Sequence, residues 1–406
     1  MLDIQAVRSE FPILQTRQNG HPLVYLDNAA TLQMPEAVLR AIEAHYHSCN
    51  SNVHRGVHTL SRLSTEHLEQ ARSIVADWLS ASPAEIIFTS GTTDSLNQLA
   101  RMLEGRVHAG QQILVSAMEH HSNLLPWQDI CRRTGAKLQI IPVDDTGALD
   151  LKAYRALLQA PTALVAVTWV SNVTGAINPV GEMAMLAHGA GALLAVDGAQ
   201  GMKLGKPDVR VLDCDFLAFS GHKLGALTGI GVLYGKRALL ETLCPVSFGG
   251  GMIESAGYSR AVWAAVPQRF EAGTPNYVGA ISLGAAITAL QQWGIADIAR
   301  REQHLTDRLA DMLREFPNIR ILPASGRRSD AVSFYAEDAH AFDIGVMLDT
   351  LGIAVRTGHM CAQPFVESCG ASNIVRVSPA FYNTEDELEQ LCAALRRILP
   401  MLRRPA

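Results

Sequence analysis

From about residue 85 to 235 the chain alternates short apolar runs with longer segments that mix apolar and charged positions. The runs are EIIFTS (85–90), QILVSA (112–117), LQIIPV (138–143), ALVAVTWV (163–170), ALLAVD (192–197), DFLAFS (215–220) and GVLYG (231–235). They are continuous, rich in β-branched residues, and bounded by Gly, Asp or Pro. That is the pattern of strands buried on both faces, while TDSLNQLARMLEG and PWQDICRRTG between them have helical length. Strands alternating with helices predict an α/β large domain built on a mostly parallel seven-stranded sheet.

Beyond the last run the pattern changes. Residues 245–270, which include PVSFGGGMIESAGYSR, read as loop because Gly and Ser dominate. After FEAGTPN (270–276), VGAISLGAAITALQQWG reads as a long helix that continues through IADIARREQHLTDRLADMLREF. AVSFYA, GIAVRTG and NIVRVSP read as short strands before a final amphipathic helix, which together predict a smaller α+β C-terminal domain. At 406 residues the chain exceeds what one core supports. The expected division is an N-terminal arm over 1–20 packed with the small domain, a large domain over 21–270 and a small domain over 271–406.

Composition narrows the function classes. A net charge of −5 with 18% charged residues argues against a nucleic-acid partner. The basic tail ALRRILPMLRRPA reads as a solvated helix face. No run approaches the ~18 uninterrupted apolar residues of a membrane span, and MLDIQAVRSEFPIL has no secretory pattern. Seven cysteines are scattered without CxxC pairing. They read as reduced thiols in a cytoplasmic protein, and their irregular spacing argues against a zinc site, so no metal is expected.

Candidate chemistry gathers at the carboxyl ends of the apolar runs, where open α/β sheets bind ligands. After IIF the chain reads Thr89-Ser90-Gly91-Thr92-Thr93-Asp94, a helix start whose free N–H groups suit a phosphate as well as a plain N-cap. After ILVSA comes the polar cluster Met118-Glu119-His120-His121-Ser122-Asn123. ALLAVD ends in Asp197, an acid that is costly inside a sheet unless a cation or strong donor meets it. DFLAFS leads into Ser220-Gly221-His222-Lys223. A lysine, a buried acid and a phosphate cup are the parts pyridoxal 5′-phosphate needs. The lysine condenses with its aldehyde, and the acid keeps the ring nitrogen protonated.

Those stretches, with LDNAAT (26–31), NVHRGVHTLS (52–61), SNVTG (171–175), FEAGTPN (270–276) and RTGHMCAQP (356–364), resemble the group II cysteine desulfurases of the class V aminotransferase family. The resemblance runs essentially the full length. It implies a fold type I pyridoxal-phosphate enzyme that converts L-cysteine to L-alanine and holds the sulfur as a persulfide. By position in the motifs, Lys223 carries the cofactor, Asp197 faces the pyridinium nitrogen and Gln200 the phenolic oxygen, and His120 stacks on the ring. Thr92, Ser220 and His222 correspond to phosphate ligands. Arg376 corresponds to the substrate-carboxylate clamp, with Asn172 and Arg356 lining the same pocket. Thr274 corresponds to a residue reaching the neighbouring subunit's phosphate, which implies a homodimer. Cys361 holds the place of the thiol that attacks the substrate sulfur.

His120 is expected to carry protons near that sulfur, because an unperturbed imidazole titrates near ~6.5. A small sulfur-acceptor protein and iron–sulfur cluster assembly are implied by the family alone. The chain departs from the family at Gly225-Ala226-Leu227, where Tyr-Gly-Pro is usual, and at Met360, where a histidine usually precedes the cysteine. Alternatives on the same scaffold are selenocysteine lyase, cysteine sulfinate desulfinase or another C–S lyase, with Cys361 dispensable. The remoter alternative is a non-catalytic phosphate-ligand binder or scaffold protein.

Overall fold

The computed structural model describes residues 2–402, apart from 325 and 327. After a short strand β1 (Val24–Tyr25), the seven apolar runs become β2 (Ile86–Thr89), β3 (Gln112–Ser116), β4 (Lys137–Ile141), β5 (Thr162–Thr168), β6 (Leu193–Asp197), β7 (Phe216–Ser220) and β8 (Gly231–Gly235). They form one sheet in the order β2-β8-β7-β6-β5-β3-β4. Only β8 runs antiparallel to its neighbours. Strand order reverses between β3 and β5, which are neighbours with onward connections running to opposite sides, and the carboxyl ends of the parallel strands open on one side.

One strand departs from the expected burial. β4 leaves Lys137 and Ile140 exposed while Ile141 is buried. It is the edge strand with a neighbour on one side only, so helices do not cover both its faces.

Helices α1 (Glu36–Ser48), α2 (Thr59–Leu79), α3 (Thr92–Leu103), α4 (Tyr277–Trp293) and α5 (Ile295–Arg314) follow. The expected continuous helix after residue 277 is two helices bent by 80°. Gly294 between them has φ +89°, a left-handed conformation that ends α4 and that a β-carbon would oppose. α4 packs on α1 and α2, and its Leu283 and Ile287 join Leu68 and Val75 of α2 in one apolar cluster.

The stretch expected to be loop contains a hairpin, β9 (Ile253–Ala256) with β10 (Ala261–Trp263). Its residues are mostly exposed, so the pairing rests on the backbone and leaves no apolar alternation to read. The C-terminal region holds β11 (Ile319–Ile321), β12 (Val332–Ala336), β13 (Ile353–Ala354), β14 (Arg356–Gly358) and β15 (Ile374–Val377). β11-β12-β15-β14 form an antiparallel sheet, while β13 pairs in parallel with β1.

Helices α6 (Ala341–Asp349) and α7 (Glu385–Leu402) pack against this sheet, around Phe334, Ile344 and Leu391. Val24 and Leu26 enter the same cluster from the N-terminal segment. Residues 403–406 of the basic tail lie outside the described residues. Among those described, no single helix is long and apolar enough to cross a membrane.

Candidate active site

A cleft of about 230 Å³ opens at the carboxyl ends of the parallel strands. Its walls bring together every expected site residue except one. Thr92 follows β2, His120 follows β3, Asn172 follows β5, Asp197 and Gln200 close β6, and Ser220, His222 and Lys223 close β7. Arg356, Cys361 and Arg376 reach the cleft from the C-terminal region. Thr274 is exposed, on the segment leading into α4, and does not line this cleft.

The turn into α3 is tightly built. The Thr92 amide donates to Ser220 Oγ at 2.8 Å, and the two hydroxyl oxygens lie 2.7 Å apart. A β-carbon on Gly231 of β8 would fall 2.4 Å from Gly91 Cα, so only glycine lets that strand run against the turn. The result is a set of amide and hydroxyl donors converging at a helix N-terminus, where an anion is favoured.

Lys223 is partly buried in the cleft wall, and desolvation pushes its ammonium down to about 8, partly opposed by Asp197. Burial likewise raises the Asp197 carboxyl, which accepts from the Ala199 amide at 2.9 Å. Gln200 donates to the Ala29 carbonyl at 2.7 Å. Burial, then the neighbouring Lys223 charge, lowers His222 to about 4.

His120 needs a correction. Desolvation first, and then the Lys223 charge, hold its imidazole at about 4, not near the unperturbed value on which proton exchange was expected. Its Nδ1 accepts from the Ser122 amide at 3.1 Å, so in the neutral ring Nε2 carries the hydrogen. His120 therefore enters the cleft as a neutral ring with one N–H to donate. With Lys223 neutral its charge no longer contributes, and burial still disfavours the imidazolium.

Cys361 is exposed at the cleft, on a loop tied across to the large domain. The His121 amide donates to the Cys361 carbonyl at 2.7 Å, and Asn172 Nδ2 donates to the Met360 carbonyl at 2.7 Å. Met360 and Cys361 both take left-handed φ, +54° and +55°. Two consecutive non-glycine residues held there cost on the order of 1–2 kcal/mol each. The cross-domain bonds hold the loop against that strain. Met360, the departure from the family's histidine, is buried and adds apolar contact beside the thiol. At the other departure, Gly225 has φ +86° and the Leu227 amide donates to Ser282 Oγ at 3.2 Å, which anchors the rebuilt loop to α4.

Arg376 is buried with two of its donors engaged, Nη1 on the Asn172 carbonyl at 2.9 Å and Nη2 on Asp27 Oδ1 at 3.0 Å. Its Nε is buried without a hydrogen-bond partner. Arg356, half exposed, lies 3.6 Å from Asp27 Oδ2. Asp27 thus stands against both arginines, a role the sequence reading did not assign. The only signal was its place at the end of VYLD, where an acid in an apolar segment needs a cation.

Glu119 was also passed over. It is buried, accepts from Asn123 Nδ2 at 2.6 Å and the Thr168 amide at 2.8 Å, and is bonded by the Ser116 hydroxyl. Burial pushes it up to about 8 against those three donors. It joins the ends of β3 and β5 to the turn carrying His120.

Fold and site together define a recognised class. The chain belongs to the aminotransferase class-V family, whose model matches residues 24–391. It is 44% identical over 402 residues to the cysteine desulfurase of Cronobacter sakazakii, covering 98% of this chain and 99% of that one. Among solved structures, the apo cysteine desulfurase of Thermococcus onnurineus superposes with a TM-score of 0.94 at 37% identity, covering 99% of both chains. The Escherichia coli cysteine desulfurase CsdA gives 0.92 at 36% identity, covering 99% of this chain and all of that one.

Proposed function

We propose that this protein is a pyridoxal-phosphate-dependent cysteine desulfurase, releasing L-alanine from L-cysteine and retaining the sulfur on Cys361. The observation that carries the reading is one cleft holding a lysine beside a buried acid, a phosphate-type helix start, a buried arginine and an exposed thiol.

The residues fit the cofactor. Thr92, Ser220 and His222 would hold its phosphate, Asp197 its ring nitrogen, Gln200 its phenolic oxygen and Lys223 its aldehyde, with His120 on the ring face. When bound, the cofactor supplies an electron sink for charge developed at the substrate α-carbon. The unpartnered Arg376 Nε supplies a buried donor for the substrate carboxylate. Lys223, down at about 8, is readily neutral at Nζ and takes the α-proton. The Cys361 thiolate attacks the substrate sulfur. The S–S bond forms as the Cβ–S bond breaks, the proton given up by the Cys361 thiol balances the one gained at Cβ, and Lys223 returns its proton to the α-carbon to complete L-alanine. The neutral His120 ring, with its hydrogen on Nε2, offers a hydrogen-bond donor to the reacting groups in the same cleft.

The family supports a homodimer in which Thr274 serves the neighbouring subunit, consistent with its exposure outside this chain's cleft. It also supports a cytoplasmic enzyme passing sulfur to a small acceptor protein for iron–sulfur cluster assembly. The test is alanine and sulfide release from L-cysteine with reductant, in wild type and Cys361→Ala. Equimolar products lost in the variant are expected. Full activity retained in Cys361→Ala would remove the thiol from the reaction and point to another C–S lyase.

A further inference from the structure

Away from the cleft, α1, its C-terminal cap and α2 bring together three side chains that the desulfurase chemistry does not use. His45 Nδ1 and His67 Nδ1 lie 3.4 Å apart. Cys49 Sγ is 3.4 Å from the first and 3.5 Å from the second. We infer that His45, Cys49 and His67 form a binding site for a thiophilic divalent cation of the Zn²⁺ type.

The geometry carries the inference. A nearly equilateral triangle with these edges has its corners about 2.0 Å from its centre, and zinc binds nitrogen at about 2.0–2.1 Å and sulfur at about 2.3 Å. An ion slightly above the plane meets all three atoms, leaving a fourth position for water. A thiol hydrogen bond accounts for one S···N edge at a time, but the N···N edge at 3.4 Å is longer than an ordinary hydrogen bond, whereas one ion accounts for all three edges together.

The ligand atoms are also presented in the right form. Ser64 Oγ donates to the Cys49 carbonyl at 2.8 Å and lies 3.5 Å from His45 Nε2. It can therefore accept from Nε2–H, the tautomer that leaves the Nδ1 lone pair facing Cys49 and His67. Binding moves the Cys49 thiol proton to solvent and forms one metal–sulfur and two metal–nitrogen bonds, with no redox change. A cavity of about 420 Å³ bounded by α1, α2 and α4 reaches both histidines and gives the ion a path.

The cysteine spacing alone argues against zinc because it searches for cysteine pairs. Here the pair is His45 and Cys49, one turn apart on one helix face, and His67 arrives from the next helix. Such an ion would tie the end of α1 to α2 and close the connection between them.

The test uses the full-length holoenzyme, freed of metal by chelator and titrated with Zn²⁺, in wild type, Cys49→Ser, His67→Gln and Cys361→Ala. Wild type and Cys361→Ala are expected to bind one Zn²⁺ per chain, with affinity at least ~10-fold weaker in the other two. Co²⁺ in place of Zn²⁺ should give a thiolate charge-transfer band in wild type that Cys49→Ser abolishes. X-ray absorption on the wild-type zinc should show one sulfur and two imidazole nitrogens, a readout that stands even if a variant fails to fold. Absence of stoichiometric zinc in wild type overturns the site. So does a thiolate signal that survives Cys49→Ser and disappears in Cys361→Ala.

Discussion

Arg376→Ala tests whether the buried guanidinium reads the substrate carboxylate. In the free protein Nη1 and Nη2 are held by the Asn172 carbonyl and Asp27, while Nε is buried and unpartnered. One charge-assisted hydrogen bond contributes about 1.5–3 kcal/mol net, and leaving a desolvated carboxylate without its cation brings the loss to about 2–5 kcal/mol. With 1.4 kcal/mol per decade, kcat/KM for L-cysteine should fall on the order of 10²-fold.

A general weakening of the fold would also lower activity, because Asp27 loses its nearer arginine. The assay therefore compares L-cysteine with L-cysteine methyl ester, whose carboxylate is masked. Wild type should favour the free acid strongly, and Arg376→Ala should lose most of that preference while the ester rate changes little. Equal losses on both substrates would refute carboxylate recognition by Arg376 and leave it a structural role between Asn172 and Asp27.

Two further outcomes follow from buried charges. Arg72 and Glu271 form a bidentate pair at 2.7 and 2.9 Å with both side chains buried, and Glu271 Oε1 also accepts from the Phe88 amide of β2. Glu271→Ala leaves the buried guanidinium with only the more exposed Glu69 at 3.0 Å as a charge partner and strips the Phe88 amide of its acceptor, and should lower unfolding stability by about 2–3 kcal/mol in urea denaturation; a loss below 1 kcal/mol would contradict the account. Lys223 in the cofactor-free protein is pushed from 10.5 down to about 8. Between those values the unfolded chain binds more protons than the folded one. Its penalty is thus complete below about pH 8 and fades towards pH 10.5, so stability should rise with pH there. That slope should be absent in Lys223→Ala, and an unchanged slope would assign it to other groups.

The sequence by itself determined the central sheet, because strands buried on both faces must be continuously apolar and so leave a signal that needs no partner to read. It determined the cleft chemistry for a related reason. Thr92, His120, Asp197 and Lys223 each follow a strand end directly, so chain position already implied spatial position. What failed was legible only in three dimensions. The β9–β10 hairpin is held by backbone pairing between exposed residues, and the 80° break at Gly294 turns on one backbone angle inside an otherwise helical pattern.

Tertiary structure alone decided that Asp27 stands between Arg356 and Arg376, that burial holds His120 near 4, and that two left-handed residues present Cys361. It also decided that His67 meets His45 and Cys49. Each of these depends on distances between segments far apart in the chain, or on water excluded by packing. Local pattern encodes neither, because desolvation and charge pairing exist only once the elements have closed on one another.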